Sequence, residues 1–288
     1  MAEGGQGMTI LDSHVHVWDP EQIPHPWLDA VPSLNRAFLP GNIDTAGGRI
    51  GEWIFVETDA IPAFARAEAD WVASLDWPGL VGIVAHAEMA RGDLEAQLDE
   101  LQGARLLVGV RPSLQNGPTD IIASAEFAAD LREIGSRGLA FDACVRWHQL
   151  DALAEAASRA EETRVVVEHL GKPPVLEGLD SAQGSAWRRG IERLAGLPNV
   201  FVKCSGVPAE AGDAFGEVAG VFDRVVLDAF GAERAMFGSD WPVSGEVGFG
   251  VPVARAVDAL RAASSEAEWR GLAGDTARAF YGLNTSDL

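Results

Sequence analysis

His14 and His16 stand two residues apart at the end of the apolar run 9–15. Alternate residues of a strand face the same way, so these two imidazoles can share one metal ion or one substrate. An H-x-H triplet alone is weak, but its place at a strand end raises its meaning. Asp240 follows a second apolar run, in Phe237-Gly238-Ser239-Asp240-Trp241-Pro242. An aspartate there could simply cap the next helix. Pro242 and the glycines after it delay that helix, so a carboxylate exposed in a tight turn is the better reading. Such a group can take a proton from attacking water. His169 lies in Val167-Glu168-His169-Leu170-Gly171-Lys172-Pro173, where Gly171 and Pro173 end the strand and leave the ring at a rim rather than in a core.

Other apolar runs also stop on ionisable or polar groups: Glu57, His86, Arg111, Arg146, and Lys203 with Ser205. Buried cations require anions. Arg111, Arg146 and Lys203 therefore either pair with Glu57, Asp142 or Glu168, or bind a substrate carboxylate or carbonyl. His86 and Ser205 join them as candidate substrate contacts. Trp18, Trp27 and Trp147 are candidate pocket walls, although aromatic residues more often serve packing.

The elements that must position these groups follow from periodicity. Strand-like runs occupy residues 9–15, 53–57, 80–85, 106–110, 140–145, 164–168, 200–203 and 235–238. Several are apolar throughout, as expected of parallel strands covered on both faces. Helical patterns lie between them, over 63–75, 93–101, 124–134, 150–159, 187–194 and 215–229, with 253–263 and 266–280 as a closing pair. Eightfold strand–helix alternation predicts an α/β fold, a single-domain (β/α)8 TIM barrel. An open doubly wound sheet is the rival, but the glycine-rich phosphate loop after its first strand is missing. In a barrel the strand ends share one mouth, and eight polar ends converging there would be costly to bury without a purpose. Residues 18–40, with five prolines, should form a loop over that mouth.

Composition narrows the function. The chain has 288 residues, 47% of them hydrophobic, and a net charge of −21. That is enough for a full core, and the acidity disfavours nucleic acid and anionic membranes. No apolar run reaches the length of a membrane span. Cys144 and Cys204 form no CxxC pattern and read as buried free thiols, which suits a cytoplasmic enzyme. Residues 1–8 read as a flexible tail and 9–288 as the barrel.

With these residues in place, the chain resembles the amidohydrolase superfamily, in its branch of TIM-barrel metal-dependent hydrolases. The resemblance rests on Ile10-Leu11-Asp12-Ser13-His14-Val15-His16-Val17-Trp18-Asp19-Pro20, Gly109-Val110-Arg111, Val167 to Pro173, Asn199 to Gly206 and Phe237 to Pro242. These occur in family order along nearly the whole chain. Within the branch the sequence is similar to the sugar-lactone and 2-pyrone-4,6-dicarboxylate lactonases. The resemblance implies water attack on the carbonyl of a small acidic or sugar-derived lactone. It implies His14, His16, His169 and Asp240 as the catalytic cluster, with Arg111 near the substrate.

Two features depart from the family pattern. The fifth strand offers Asp142, Cys144 and Arg146 where relatives place a histidine, and Pro112 follows Arg111 where relatives tend to have a histidine. A two-metal site is therefore not expected. His14, His16, His169 and Asp240 could hold one Zn2+ or Mn2+, and a metal-independent site is the alternative. Asp240 is the expected general base, and Arg111 or Lys203 the oxyanion partner. A metal-dependent decarboxylase is the runner-up, and a non-catalytic protein that binds a small acid is the third reading.

Overall fold

The computed structural model describes residues 8–283. The expected tail falls on residues 1–7, outside the described residues, apart from an exposed Met8. Eight parallel strands form one sheet in sequence order: β1 (Ile10–Val15), β2 (Ile50–Val56), β3 (Leu80–His86), β4 (Leu107–Arg111), β5 (Ala140–Ala143), β6 (Val165–Val167), β7 (Val200–Cys204) and β8 (Ala235–Phe237). The seam between β8 and β1 closes at the C-terminal end. There Val15 pairs in parallel with Trp241, the His16 N–H donates to the Trp241 carbonyl at 2.8 Å, and the Asp240 N–H donates to the His14 carbonyl at 2.8 Å. The protein is thus a single-domain (β/α)8 barrel. Among the described residues, no helix is long and apolar enough to cross a membrane.

Strand alternation sorts the core into two parts. Trp53, Phe55, Ile83, Phe141, Val165 and Val167 face outward and pack with the helix ring. Leu11, Ile54, Val56, Val84, Val166 and Met236 meet inside the barrel, where Phe280 and Tyr281 of the terminal helix Thr276–Tyr281 close the floor. The helices form where an apolar stripe can cover the sheet. Helix Ala125–Ser136 buries Phe127, Ala128, Leu131 and Ile134, and the Ser124 hydroxyl accepts the Phe127 N–H at 3.0 Å as its cap.

Two expected helices are interrupted. The pattern over 215–229 splits into Phe215–Val218 and Val221–Phe230 because Gly220 between them adopts φ 79°, a left-handed conformation that ends a helix. The pattern over 266–280 is broken by a π turn at Gly271–Asp275. The loop after β1 crosses the mouth as expected. It is held by antiparallel pairing of Trp18 with Phe38 and by a Trp18 indole N–H donated to the Arg36 carbonyl at 2.9 Å.

Candidate active site

Three layers fill the barrel from floor to mouth. Above the apolar floor lies a chain of charges. The Tyr281 hydroxyl donates to Asp142 at 2.7 Å, and Lys203 Nζ donates to the same carboxylate at 2.5 Å. Lys203 also lies 3.4 Å from Glu168 Oε1, Arg111 donates to Glu168 Oε2 at 3.2 Å, and Arg111 Nε donates to Glu57 Oε1 at 2.6 Å. Signs alternate along this chain, so each buried charge has a counter-charge. Burial works against the ionised forms of Glu168 and Glu57. The surrounding positive groups prevail, holding Glu168 well below the usual carboxylate range and Glu57 at about 2. Burial likewise opposes the Arg111 charge, and Glu57 and Glu168 outweigh it.

The third layer is the histidine cluster. A register shift between Asp12 and Val15 interrupts the pairing of β1 with β2. Below the shift Leu11 joins the floor, and above it His14 and His16 meet at the mouth. The chain after β6 then turns through left-handed conformations at His169 (φ 53°), Leu170 (φ 56°), Gly171 and Lys172 (φ 46°). Each non-glycine residue in such a turn costs on the order of 1–2 kcal/mol, so tertiary contacts must hold it. One is the Trp187 indole, which donates to the Leu170 carbonyl at 2.7 Å. Another is Gly206, where a Cβ would come within 2.6 Å of the His169 side chain. Asp240 is also left-handed, at φ 55°, and Ser244 holds its Oδ2 at 2.5 Å. It caps no helix, since the next helix starts after Gly245.

Hydrogen bonds determine which nitrogens face the mouth. The Val56 carbonyl can only accept, so at 2.8 Å from His16 Nδ1 it places the proton there and leaves Nε2 a lone pair. At His14 Nδ1 an acceptor and a donor compete, Glu168 Oε1 at 3.1 Å and the Lys203 ammonium at 3.3 Å. Ser205 Oγ sits 2.9 Å from His169 Nδ1. Burial holds His14 well below its ordinary range and lowers His169 to about 4, so both rings are neutral at neutral pH.

The free nitrogens gather around one carboxylate oxygen. Asp240 Oδ1 lies 3.3 Å from His16 Nε2, 3.6 Å from His14 Nε2 and 4.0 Å from His169 Nε2, and the His14 and His16 Nε2 atoms are 3.1 Å apart. Burial disfavours charge on Asp240, and lone pairs of neutral rings do not offset it; positive charge at the cluster, from protonated rings or a bound cation, is what would hold its carboxyl below the usual range. Lone pairs facing a carboxylate with no donor between them call for a cation. Metal–ligand bonds of ~2.0–2.1 Å imply tetrahedral edges of roughly 3.3 Å, close to the His14–His16, His16–Asp240 and His14–Asp240 separations, while His169 stands farther out but within 4.8 Å of His14 and Asp240. The donor set therefore fits a divalent metal ion.

This cluster borders a cavity of about 260 Å³ lined by His16, Trp18, Trp27, Arg111, His169 and Asp240, among others. Lining residues that the sequence reading did not single out include Asp59, Gln115, Asn116 and Lys172. Asp59 lies two residues past a strand-end carboxylate, and Lys172 lies in a Gly-Lys-Pro turn, so both had a local signal. Gln115 and Asn116 had none. Cys144 also lines the cavity, but burial pushes its thiol up to about 12, which rules out a thiolate at neutral pH.

Several expected substrate contacts lie elsewhere. Lys203 is fully buried beneath the histidines, in the charge chain. Ser205 reaches His169 rather than the cavity. Arg146 lies beyond the end of β5, its side chain 38% exposed and its guanidinium 3.8 Å from Glu210. His86 borders a second cavity, its Nδ1 3.3 Å from Glu57 Oε2. Trp147 stacks edge-on against His148, apart from the lining of the main cavity.

A (β/α)8 barrel whose mouth gathers three histidines around an aspartate defines an enzyme of the TIM-barrel hydrolase class. The chain belongs to the amidohydrolase family, whose model matches residues 11–283. An L-fucono-1,5-lactonase of Burkholderia ambifaria is 30% identical to it over 241 residues, covering 81% of this chain and 80% of that protein. An amidohydrolase from Burkholderia multivorans with bound HEPES superimposes with a TM-score of 0.82 at 27% identity, over 96% of this chain and 100% of that one. An amidohydrolase from the same organism with bound zinc gives 0.81 at 26% identity, again over 96% and 100%.

Proposed function

We propose that the protein hydrolyses the ring ester of a small lactone, sugar-derived or acidic, at the barrel mouth. The observation that carries this reading is the meeting of the His14, His16 and His169 Nε2 atoms around Asp240 Oδ1. The similarity to a chain named as a sugar lactonase supports it. His14, His16, His169 and Asp240 would hold one divalent cation, with zinc favoured by the nitrogen-rich donor set and by the zinc-bound relative. When bound, such an ion supplies Lewis-acid polarisation of the carbonyl and lowers the pKa of water towards ~7.

The chain's own residues do the rest. Asp240 is ionised, so its carboxylate accepts a proton from the attacking water. Arg111 at the cavity wall opposes the negative charge that develops on the carbonyl oxygen. Lys203, with no access to the cavity, stabilises the layer below instead of the oxyanion. The ring oxygen leaves as an alcohol when Asp240 returns the proton. Ser205 and Glu168 fix the His169 and His14 rings, and Trp18 and Trp27 shelter the site from bulk water. Two buried free thiols suit a reducing compartment, and we place the enzyme in the cytoplasm.

The test is turnover of a lactone panel by the purified protein, following acid and CO2 release together. One equivalent of acid per ring opened, without CO2, is expected. CO2 release, or binding without turnover, would contradict the proposal.

A further inference from the structure

The loop that follows β1 and the loop that follows β2 meet at one buried polar point beside the main cavity. His25 of the first loop places Nε2 2.6 Å from the Thr58 hydroxyl of the second. Thr58 in turn donates to Glu68 Oε1, on the helix Ala65–Ser74. His25 Nε2 itself lies 3.7 Å from the same carboxylate oxygen. All three side chains are buried. Thr58 has one hydroxyl proton and gives it to Glu68, so His25 Nε2 carries the proton that the hydroxyl accepts. His25 Nδ1 has no partner among the described residues, so the hold on this ring rests on Nε2.

What the link positions is Trp27. Thr58 holds that residue as well, because the Trp27 indole N–H donates to the Thr58 carbonyl at 2.8 Å. His25 stands between Pro24 and Pro26, whose rings fix φ at about −65°, so a shift at His25 passes to Trp27 along a stiff segment. The Trp27 ring meets Trp18 edge-on, with centroids 5.5 Å apart, and both rings line the main cavity together with Thr58. Trp27 is only half-buried, so packing alone does not lock it. An indole wall offers the reaction no acid or base. It touches substrate and transition state alike, and therefore acts on binding.

We propose that Glu68 is a positioning residue for the active site: acting through Thr58 and His25, it sets Trp27 as the cavity wall and so governs how tightly the substrate is held. The substrate in this statement rests on the lactone reading above. Glu68 itself does not line the cavity. Without its carboxylate the Thr58 hydroxyl becomes a buried donor lacking its acceptor, and the pair of loops loses its fixed point.

Two readouts test this. The first needs no substrate: hydrogen exchange of the Trp27 indole N–H, followed by NMR and assigned by its loss in Trp27→Phe. Glu68→Leu should speed this exchange about tenfold more than it speeds that of the Trp187 indole N–H, which donates to Leu170 on another side of the barrel mouth. Glu68→Gln, whose carboxamide oxygen can accept from Thr58, should restore most of the protection. Thr58→Val should act in the same direction as Glu68→Leu, and serves where that variant does not fold. The second readout is kinetic, on a lactone that the native protein opens. Glu68→Leu should raise KM about tenfold and leave kcat within about threefold. In a Trp27→Ala background the same change should add less than about twofold, because the residue it acts through is gone. Unchanged exchange at Trp27, equal acceleration of both indoles, or KM effects that multiply in the double variant would overturn the proposal. A native protein that opens no lactone would instead overturn the lactone reading, and the exchange result alone would then decide on Glu68.

Discussion

The floor and the middle of the barrel are built from the same eight strands but held together by opposite means. At the floor, Leu11, Ile54, Val84, Val166 and Met236 pack in one apolar cluster, and each contributes in proportion to the volume it fills. One layer higher, Lys203, Asp142, Glu168, Arg111 and Glu57 contribute little singly, yet each neutralises its neighbours. The floor tolerates exchange at constant volume, whereas the middle layer tolerates only paired changes. This difference also separates stability from chemistry, because the middle layer is what holds His14 within the histidine cluster and Arg111 at the cavity wall.

The sharpest way to break the comparison is to remove one ion. Lys203→Met leaves two buried carboxylates facing each other and should cost about 3–5 kcal/mol. In a chain of this size that lowers Tm by roughly 10 °C in calorimetry. Adding Asp142→Leu should return much of the loss, which a purely volumetric account does not predict. Ile54→Ala probes the floor and should cost about 2–4 kcal/mol. Here kcat per folded molecule should stay within about twofold, since Ile54 belongs to the floor cluster. A large fall in kcat with intact folding would mean that the floor also steers the chemistry.

Acid titration separates the layers next. Glu57 has a folded pKa of about 2, against 4.5 for the free side chain. Below 4.5 the unfolded chain binds this proton and the folded chain does not, so stability rises with pH there. The Glu57 contribution is full above pH 4.5 and disappears as pH falls through about 2. It amounts to about 3 kcal/mol, read as a decline in Tm across that window that Glu57→Gln should flatten. The smallest effect expected is that of Ser205→Ala, which frees the His169 ring without touching the cavity. It should lower kcat about tenfold and leave Tm nearly unchanged.

Much of this was legible in the sequence because parallel strands are apolar on both faces. The runs ending at His14, Arg111 and Lys203 could be read directly, and all eight strands appear in the expected order. Depth along the barrel axis was not legible. Lys203 and Arg111 both end apolar runs, yet one lies under the histidines and the other borders the cavity, which depends on strand stagger. Arg146 looked like a strand end, but β5 stops at Ala143 and the arginine turns outward beyond it. The shift in β1 that brings His14 and His16 to the mouth shows only in the pairing with β2. The borders of the second cavity were half visible. His86 stood out as a strand-end histidine, whereas Asp59 matters because a left-handed turn sets it between two cavities.

The most direct test of the account is Asp240→Asn assayed on a lactone that the native protein opens. Asparagine tolerates the left-handed backbone and can keep the Ser244 contact, so the fold should persist, with Tm within a few degrees of native. The account predicts a kcat lower by about 10²–10⁴-fold, because the proton acceptor is gone. Native-like turnover by a well-folded Asp240→Asn protein would contradict it.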